Sequence, residues 1–169
     1  LPAVVETVDA IKNGAPLIWD GAPGNVAVDA EKGARQAVEA AFARAKHIVK
    51  ARIVSPRVQV VPIETKGAVV WFDADGRLNY QGATQGVPFY KMMFARIFAM
   101  EPDKIRVVTR DVGGAFGIKQ NICPELVAIV LAARKLGRAV KWMADRAEAF
   151  AADYQGRDFV TDAELALDE

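Results

Sequence analysis

The run from Ile105 to Met143 constrains the fold of this 169-residue chain more than any other part of its sequence. An apolar strand pattern at Ile105–Thr109 leads into a loop that contains several glycines. Pro124 can occupy the first turn of the following helix, which we expect to end at Gly137, before a short strand at Val140–Met143. Strand, loop, helix and strand in this order predict a βαβ-like unit. Because apolar residues surround the helix almost completely, we expect it to be buried.

The residues before this run contain a strong hairpin signal. Asp75-Gly76 is a favoured turn sequence, and the strand-like segments Ala68–Phe72 and Arg77–Tyr80 flank it. Asp73 and Asp75 also resemble half of a calcium-binding loop, but the remaining ligands are missing, so we interpret the segment as a plain turn. β-Branched or alternating residues predict three further strands, at His47–Val54, Val58–Val61 and Phe159–Leu167.

Helical spacing of apolar residues predicts two helices in the first hundred residues. One covers Lys32–Ala45, and the other ends before Pro102. In the second helix, the spacing predicts that Phe89, Met93 and Ile97 face the core.

Together these elements predict an α+β fold with a mixed sheet, packed helices and a βαβ-like unit. The length fits a single domain over residues 1–169, with an extended lead-in at 1–30 and a globular α+β part at 31–169. The lead-in is rich in proline and glycine, which interrupt long elements. The chain begins at Leu1 without a methionine, which is typical of a domain fragment.

The charge pattern excludes several kinds of partner. The 22 Lys and Arg residues nearly balance the 21 Asp and Glu residues, and the two signs are interspersed. Without a basic stripe or block, we expect no nucleic-acid partner. We expect no membrane partner either, because no apolar run approaches the ~20 residues that span a bilayer.

The chain has one cysteine, Cys123, and one histidine, His47. A single cysteine excludes an internal disulfide, a cysteine-rich zinc site and an iron–sulfur cluster held by this chain alone. We expect Cys123 to be a buried structural thiol and His47 to be a partly buried strand residue. The cysteine content is compatible with a reduced, cytoplasmic location, which is our expectation.

The glycine loop at residues 110–121 is the most informative segment for function. Glycines allow backbone N–H groups to approach an anionic or oxo group closely. The loop lacks the Gly-Lys-Ser/Thr of a nucleotide-binding P-loop and the G-x-G-x-x-G of a dinucleotide site. From the residues alone, three interpretations stay open: a cofactor-binding loop, a phosphate- or nucleotide-binding α/β module that uses residues 113–117, and a non-catalytic structural turn.

Two motifs carry a resemblance to a known family. The segment Val112–Gly117 is similar to the Gly-Gly-Gly-Phe-Gly motif of the xanthine dehydrogenase, aldehyde oxidase and carbon monoxide dehydrogenase type of molybdenum hydroxylases. Thr84-Gln85 is similar to the Thr-Gln pair of the same family. Gln85 and Phe116 lie 31 positions apart, in agreement with the family's spacing.

Weaker similarities extend over nearly the whole chain. They are Lys141–Glu148 with its Asp-Arg pair, Gln155–Asp158, Arg57 with Pro62-Ile63-Glu64, and the opening Leu1–Val4. Glu64 is also a candidate catalytic carboxylate, but we favour a structural pairing of Glu64 with Arg57. The resemblance identifies the chain as part of the first molybdenum-binding domain, and a small part of a typical large subunit.

The resemblance also implies roles for individual residues. It places four residues at the cofactor: Gln85, Gly114, Phe116 and Gly117. The Gln85 side chain would donate a hydrogen bond to an oxygen ligand of molybdenum, and Gln120 would lie near the substrate. No residue of this chain would coordinate the metal directly, and the catalytic general-base glutamate would lie outside the chain.

Three departures from the family pattern bear on the substrate. Ala115 replaces the third glycine, which is tolerated if its φ is negative. Gln120 stands where purine-oxidising members have a glutamate, and this weakens a xanthine assignment because glutamine carries no charge. The segments Asp111–Gly114 and Cys123–Glu125 are closer to the carbon monoxide dehydrogenase-like branch.

For the intact enzyme, the resemblance implies oxidative hydroxylation of an aldehyde, an N-heterocycle or a similar small molecule, with water as the oxygen donor. The cofactor would be molybdopterin or its cytosine dinucleotide, and the fragment alone would hold none and be inactive. The expected partners are the rest of the large subunit, iron–sulfur and FAD subunits or domains, and a second copy in a homodimer.

Overall fold

A computed structural model describes residues 3–168 of the chain, so Leu1 and Pro2 of the predicted opening similarity lie outside the described residues. In chain order, the elements are α1 (Thr7–Ala10), α2 (Arg35–Arg44), β1 (His47–Ser55), β2 (Gly67–Phe72), β3 (Leu78–Gly82), α3 (Val87–Phe98), β4 (Ile105–Val108), α4 (Pro124–Leu136), β5 (Val140–Met143), α5 (Arg146–Ala152) and β6 (Phe159–Leu167). Short 3₁₀ turns lie at Pro23–Asn25 and Pro102–Lys104. None of the helices in the described part of the chain has the length and apolarity that a membrane crossing requires.

The chain divides into two compact units. One contains the residues up to Val58 and those from Gly156 onward, and the other is Gln59–Gln155. The division of the chain into an extended lead-in at residues 1–30 and one globular domain part at 31–169 stays a prediction.

In the first unit, β1 and β6 form an antiparallel ribbon in which His47 pairs with Leu167 and Ser55 with Phe159. The two predicted strands are therefore confirmed, as is a helix within 32–45, which forms as α2. The predicted strand at Val58–Val61 is wrong, because only Val58 pairs, in an isolated bridge to Gly156. Its apolar β-branched residues satisfied the local pattern, but within residues 3–168 no neighbouring strand supplies hydrogen-bond partners to residues 59–61.

The second unit contains a four-stranded mixed sheet in the order β4-β3-β2-β5. Strands β2 and β3 form the predicted hairpin around Asp75-Gly76, where Gly76 takes a positive φ of 73°. Helices α3 and α4 contact strands of this sheet, α3 at β4 and α4 at β2 and β5. The predicted α+β class with a mixed sheet is confirmed.

The predicted βαβ-like unit of β4, α4 and β5 occurs, and the structure contains a second such unit that the sequence did not predict. Strands β3 and β4 pair in parallel, so β3, α3 and β4 form a unit of neighbouring strands. Strands β4 and β5, which flank α4, lie at opposite edges of the sheet. They still run parallel, because β5 and β3 are both antiparallel to β2.

Helix α3 buries a different face from the one predicted. Its buried residues are Tyr90 and Phe94, whereas Phe89 and Ile97 are exposed and Met93 is half-buried. The helix is apolar on most sides, so spacing alone could not select the inward face. The aromatic rings of Tyr90 and Phe94 pack on Tyr80 of β3 at centroid distances of 5.6 and 5.4 Å, and this packing fixes the rotation of the helix.

Helix α4 follows the predicted limits, and Gly137 ends it in a left-handed conformation with φ 61°. Its buried side consists of Leu126, Ile129, Val130 and Ala133. The helix is less buried than predicted, since Leu131 and Leu136 are exposed among the described residues.

Helix α5 was not predicted, although the sequence contains a signal for it. The Asp145 carboxylate accepts a hydrogen bond from the Glu148 N–H at 2.7 Å. This is the N-terminal half of a capping box, and the Asp-x-x-Glu spacing could have identified the start of the helix.

Candidate functional site

The glycine loop lies between β4 and α4 and adopts three left-handed conformations. Gly114 has φ 94°, Phe116 φ 50° and Gly117 φ 102°. A positive φ is uncommon outside glycine, and at Phe116 it holds an aromatic residue that is 76% exposed. Ala115 is not among the residues with positive φ, so its methyl group is tolerated as the sequence predicted. The exposed Phe116 is not explained by packing within the described chain, which marks this turn as a candidate site.

Gln85 connects the end of β3 to this turn by three hydrogen bonds. Its backbone N–H donates to the Lys119 carbonyl at 3.0 Å. Its side-chain Oε1 accepts from the N–H of Gly117 at 3.0 Å and from the N–H of Lys119 at 3.2 Å. Because backbone N–H groups can only donate, the bonded side-chain atom must be the amide oxygen.

This orientation has a chemical consequence for Gln85. The Nε2 group donates no hydrogen bond to any residue in the described range 3–168, and the residue is exposed. Gln85 therefore presents a fixed, neutral N–H donor next to the exposed Phe116-Gly117 backbone. Sequence reasoning selected the residue but not the two bonds that orient it.

Glu64 holds the first part of the loop. Its Oε2 accepts from the Gly113 N–H at 2.9 Å and from Lys119 Nζ at 2.7 Å. Its own N–H donates to the Gly113 carbonyl at 3.0 Å. A Cβ on Gly113 would lie 2.6 Å from the Glu64 Cβ, so this close approach requires glycine.

The predicted pairing of Glu64 with Arg57 is wrong. Arg57 instead forms an ion pair with Asp158. The sequence could not select Asp158 over Glu64 as the partner of Arg57, because each is a carboxylate in a segment that resembles the family.

The environment of Glu64 keeps its carboxylate charged. Partial burial raises its pKa, but the hydrogen bonds from Lys119 and Gly113, together with the lysine charge, outweigh burial and lower the pKa below its ordinary value of 4.5. A lowered folded-state pKa contributes stability that is present above the unfolded-state value and lost as the pH falls through the folded-state value.

We therefore expect acid destabilisation that depends on Glu64. Urea melts recorded from pH 6 down to about pH 3 should show a larger loss of unfolding free energy for the wild type than for Glu64→Gln. Glu125→Gln is the control, because this carboxylate lies outside the loop network. Identical acid profiles for the wild type and Glu64→Gln would contradict the contribution of Glu64.

Two residues that were not predicted as site residues, Arg146 and Tyr154, form hydrogen bonds with the backbone of the site. Arg146 Nη2 donates to the carbonyls of Pro62 and Ile63 at 2.8 and 2.7 Å. Tyr154 donates its hydroxyl to the Gly117 carbonyl at 2.8 Å. Arg146 belongs to the Asp-Arg segment noted in the sequence, whereas nothing in the sequence identified Tyr154.

The remaining predicted candidates have simpler environments. Gln120 is exposed, and its N–H donates to the Gly117 carbonyl at 3.3 Å. Cys123 is half-buried at the start of α4, and burial raises the pKa of its thiol to about 11, which suits an unreactive structural thiol.

His47 is exposed rather than partly buried. Within residues 3–168, no group of three His, Cys, Asp or Glu side chains could hold a metal ion.

The loop geometry also separates two of the interpretations. A turn at residues 116–119 closes the loop before α4 begins at Pro124, so the glycines do not run directly into the helix N-terminus. Phosphate-cradling loops depend on that continuity, so this geometry does not favour a nucleotide-binding module.

Comparison with known proteins gives consistent matches. A family model described as the molybdopterin cofactor-binding domain matches residues 18–169. The carbon monoxide dehydrogenase large chain of Hydrogenophaga pseudoflava is 34% identical over 98% of the chain. The 6-hydroxypseudooxynicotine dehydrogenase complex subunit gamma of Paenarthrobacter nicotinovorans is 32% identical over 78% of the chain. The solved carbon monoxide dehydrogenase of Oligotropha carboxidovorans matches 99% of the chain with a TM-score of 0.86 and 29% identity.

These relatives are much longer than the chain. It spans 22% of the Hydrogenophaga protein, 16% of the Paenarthrobacter protein and 22% of the solved chain.

Proposed function

Because the chain belongs to the molybdopterin cofactor-binding domain family, we propose that it is part of the large subunit of a molybdenum hydroxylase. The proposed reaction of the intact enzyme is oxidative hydroxylation of an aldehyde, an N-heterocycle or a similar small molecule, with water as the oxygen donor. Relatives named carbon monoxide dehydrogenase and 6-hydroxypseudooxynicotine dehydrogenase support an oxidoreductase of this kind.

The orientation of Gln85 is the observation that carries this proposal. Its amide oxygen is occupied by Gly117 and Lys119, so its N–H₂ group is the part that can donate to a cofactor oxygen. The Phe116-Gly117 backbone lies beside it on an exposed turn. Gly114 keeps this turn narrow, because a Cβ there would lie 3.1 Å from the Phe116 ring and 3.2 Å from Pro62. These residues fit an oxygen-rich cofactor that is bound by neutral donors.

The residues of this chain would position the cofactor rather than react. When bound, the molybdenum–pterin cofactor supplies the redox chemistry of the hydroxylation. Gln85 would donate a hydrogen bond to it, and Gly114, Phe116 and Gly117 would present backbone to it. Gln120 would lie near the substrate, where its amide can donate and accept but cannot carry charge. No residue of this chain would coordinate the metal, and the general base would lie elsewhere in the subunit.

Several finer features belong to the same proposal. The cofactor is molybdopterin or its cytosine dinucleotide, and the chain alone binds neither stably. The partners are the rest of the large subunit, iron–sulfur and FAD subunits or domains, and a second large subunit. A relative that is named as one subunit of a complex supports such partners. The single cysteine is compatible with the proposed cytoplasmic location.

Metal and pterin analysis tests the proposal directly. We expect a large subunit that contains this chain to be purified with stoichiometric molybdenum and pterin, and the 169-residue chain alone to retain neither. The physical reason is that one loop and one glutamine provide few of the hydrogen bonds that a cofactor of this size requires. A large subunit without molybdenum, or saturable nucleotide binding by the chain alone, would contradict the proposal.

A further inference from the structure

Lys119 is a lysine that is only 1% exposed. An ammonium group removed from water is costly unless a charge and hydrogen bonds compensate for it. Its compensation is the 2.7 Å contact between Nζ and Glu64 Oε2, and Glu64 itself keeps 35% of its side chain exposed. Because its ammonium group is buried and paired with Glu64, Lys119 has a structural role in the loop rather than a role in solvating the surface.

We infer that Lys119 and Glu64 form a clamp that fixes the shape of the glycine loop and thereby positions Gln85 and Phe116 for the cofactor. This inference rests on the proposed function. The clamp closes the loop at both ends. At the beginning, the Glu64 carboxylate accepts from the Gly113 N–H, and the Glu64 N–H donates to the Gly113 carbonyl. At the end, the same carboxylate accepts from the Lys119 ammonium group.

The clamp is coupled to Gln85 through the backbone of Lys119. The Lys119 carbonyl accepts from the Gln85 N–H, and the Lys119 N–H donates to Gln85 Oε1. A shift of the Lys119 side chain therefore moves the same residue that orients the Gln85 amide. Gln85 would be the contact to the cofactor, whereas Lys119 and Glu64 are positioning residues that act through it.

Glu64 is itself held in place. Arg146 binds the carbonyls of Pro62 and Ile63, the two residues that precede Glu64. The clamp thus starts from a segment anchored by α5 and does not depend on a freely moving side chain. These contacts bring the Pro-x-Glu, glycine-loop and Asp-Arg segments together, although they lie far apart in the sequence.

The test uses Lys119→Met, Glu64→Gln and the double variant. Methionine keeps most of the buried stem of the lysine, so the variant chain retains its packing. Val130→Ala is the control, because it removes buried volume from α4 and leaves the hydrogen bonds of Glu64 and Lys119 unchanged. Amide hydrogen exchange of residues 113–119 is measured in the 169-residue chain, with thermal melts to follow global stability.

We expect each single variant to raise exchange at Gly113 and Gly117 by roughly ten- to hundredfold, the scale of a lost charge-assisted hydrogen bond. The double variant should exchange no faster than the faster single variant, because the two residues act as one unit. Val130→Ala should lower the melting temperature and leave the loop amides at the wild-type rate relative to the rest of the unit. Loop exchange that only follows global stability in all variants, or additive effects in the double variant, would overturn the clamp.

The consequence for the cofactor is measured separately in the large subunit. Molybdenum retained after gel filtration should fall by about 10–100-fold in Lys119→Met, as is usual for groups that support a metal site. Wild-type retention with a loosened loop would overturn the positioning role. Absence of molybdenum from the wild-type subunit would refute the proposed function, and the exchange data on the chain would still decide the clamp.

Discussion

Replacing Gln85 by glutamate is expected to lower turnover per bound molybdenum by about 10–100-fold in the intact enzyme. Glutamate keeps an oxygen that can accept from the N–H groups of Gly117 and Lys119, which Gln85 Oε1 binds at 3.0 and 3.2 Å. It replaces the N–H₂ donor by a second oxygen and adds a negative charge. The substitution therefore retains the structural role of Gln85 and removes only its proposed donor role.

Gln85→Ala is the matched comparison, because it removes both roles. In this variant we expect faster amide exchange at Gly117 and Lys119 as well as reduced turnover, whereas Gln85→Glu should leave loop exchange close to that of the wild type. Turnover normalised to bound molybdenum, molybdenum retention and loop exchange are the three measurements. If Gln85→Glu keeps wild-type turnover per molybdenum and wild-type retention, Gln85 is a structural residue only.

Replacing Phe94 by alanine is expected to cost about 3–5 kcal/mol of unfolding free energy. Phe94 is fully buried, and its ring lies 5.4 Å from that of Tyr80, 6.0 Å from that of Tyr90 and 6.0 Å from that of Phe98. The substitution removes the transfer free energy of the ring and leaves a cavity among three other aromatic rings, which cannot collapse without breaking their contacts.

Ile97→Ala on the same helix is the control, since this side chain is 41% exposed. We expect it to cost less than about 1.5 kcal/mol, because much of the side chain already contacts water. Urea melts of both variants measure the difference. A loss for Ile97→Ala as large as that for Phe94→Ala would contradict the assignment of Phe94 to the buried face of α3 and of Ile97 to its exposed side.

The difference in burial between Phe94 and Ile97 shows which features of a helix can be predicted from the periodicity of its apolar residues. The helix was predictable because its apolar residues recur at helical spacing and Pro102 follows it. The inward face of the helix was not predictable, because Phe89, Met93 and Ile97 are also apolar and lie at the same helical spacing as Tyr90 and Phe94. The packing of Tyr90 and Phe94 against Tyr80, on a strand of the sheet, favours the face that is buried.

For the candidate site, the sequence identified Gln85 and the glycine loop through two motifs at a familiar separation. It did not identify the partners that shape them. Glu64 and Lys119 lie 55 positions apart, and each has several possible partners of opposite charge. Tyr154 reaches Gly117 from a segment that no motif marked as functional.

The sequence by itself determined the features that depend on local chemistry. The turn at Asp75-Gly76 and the helix end at Gly137 need only the conformational freedom of glycine, and the strands in their vicinity follow from alternating or β-branched residues. The tertiary structure decided the strand order, the buried face of α3 and the carboxylate that accepts the buried ammonium of Lys119. These depend on which surfaces meet, because burial and charge pairing are properties of residues that are distant in sequence and become neighbours only when the chain has folded.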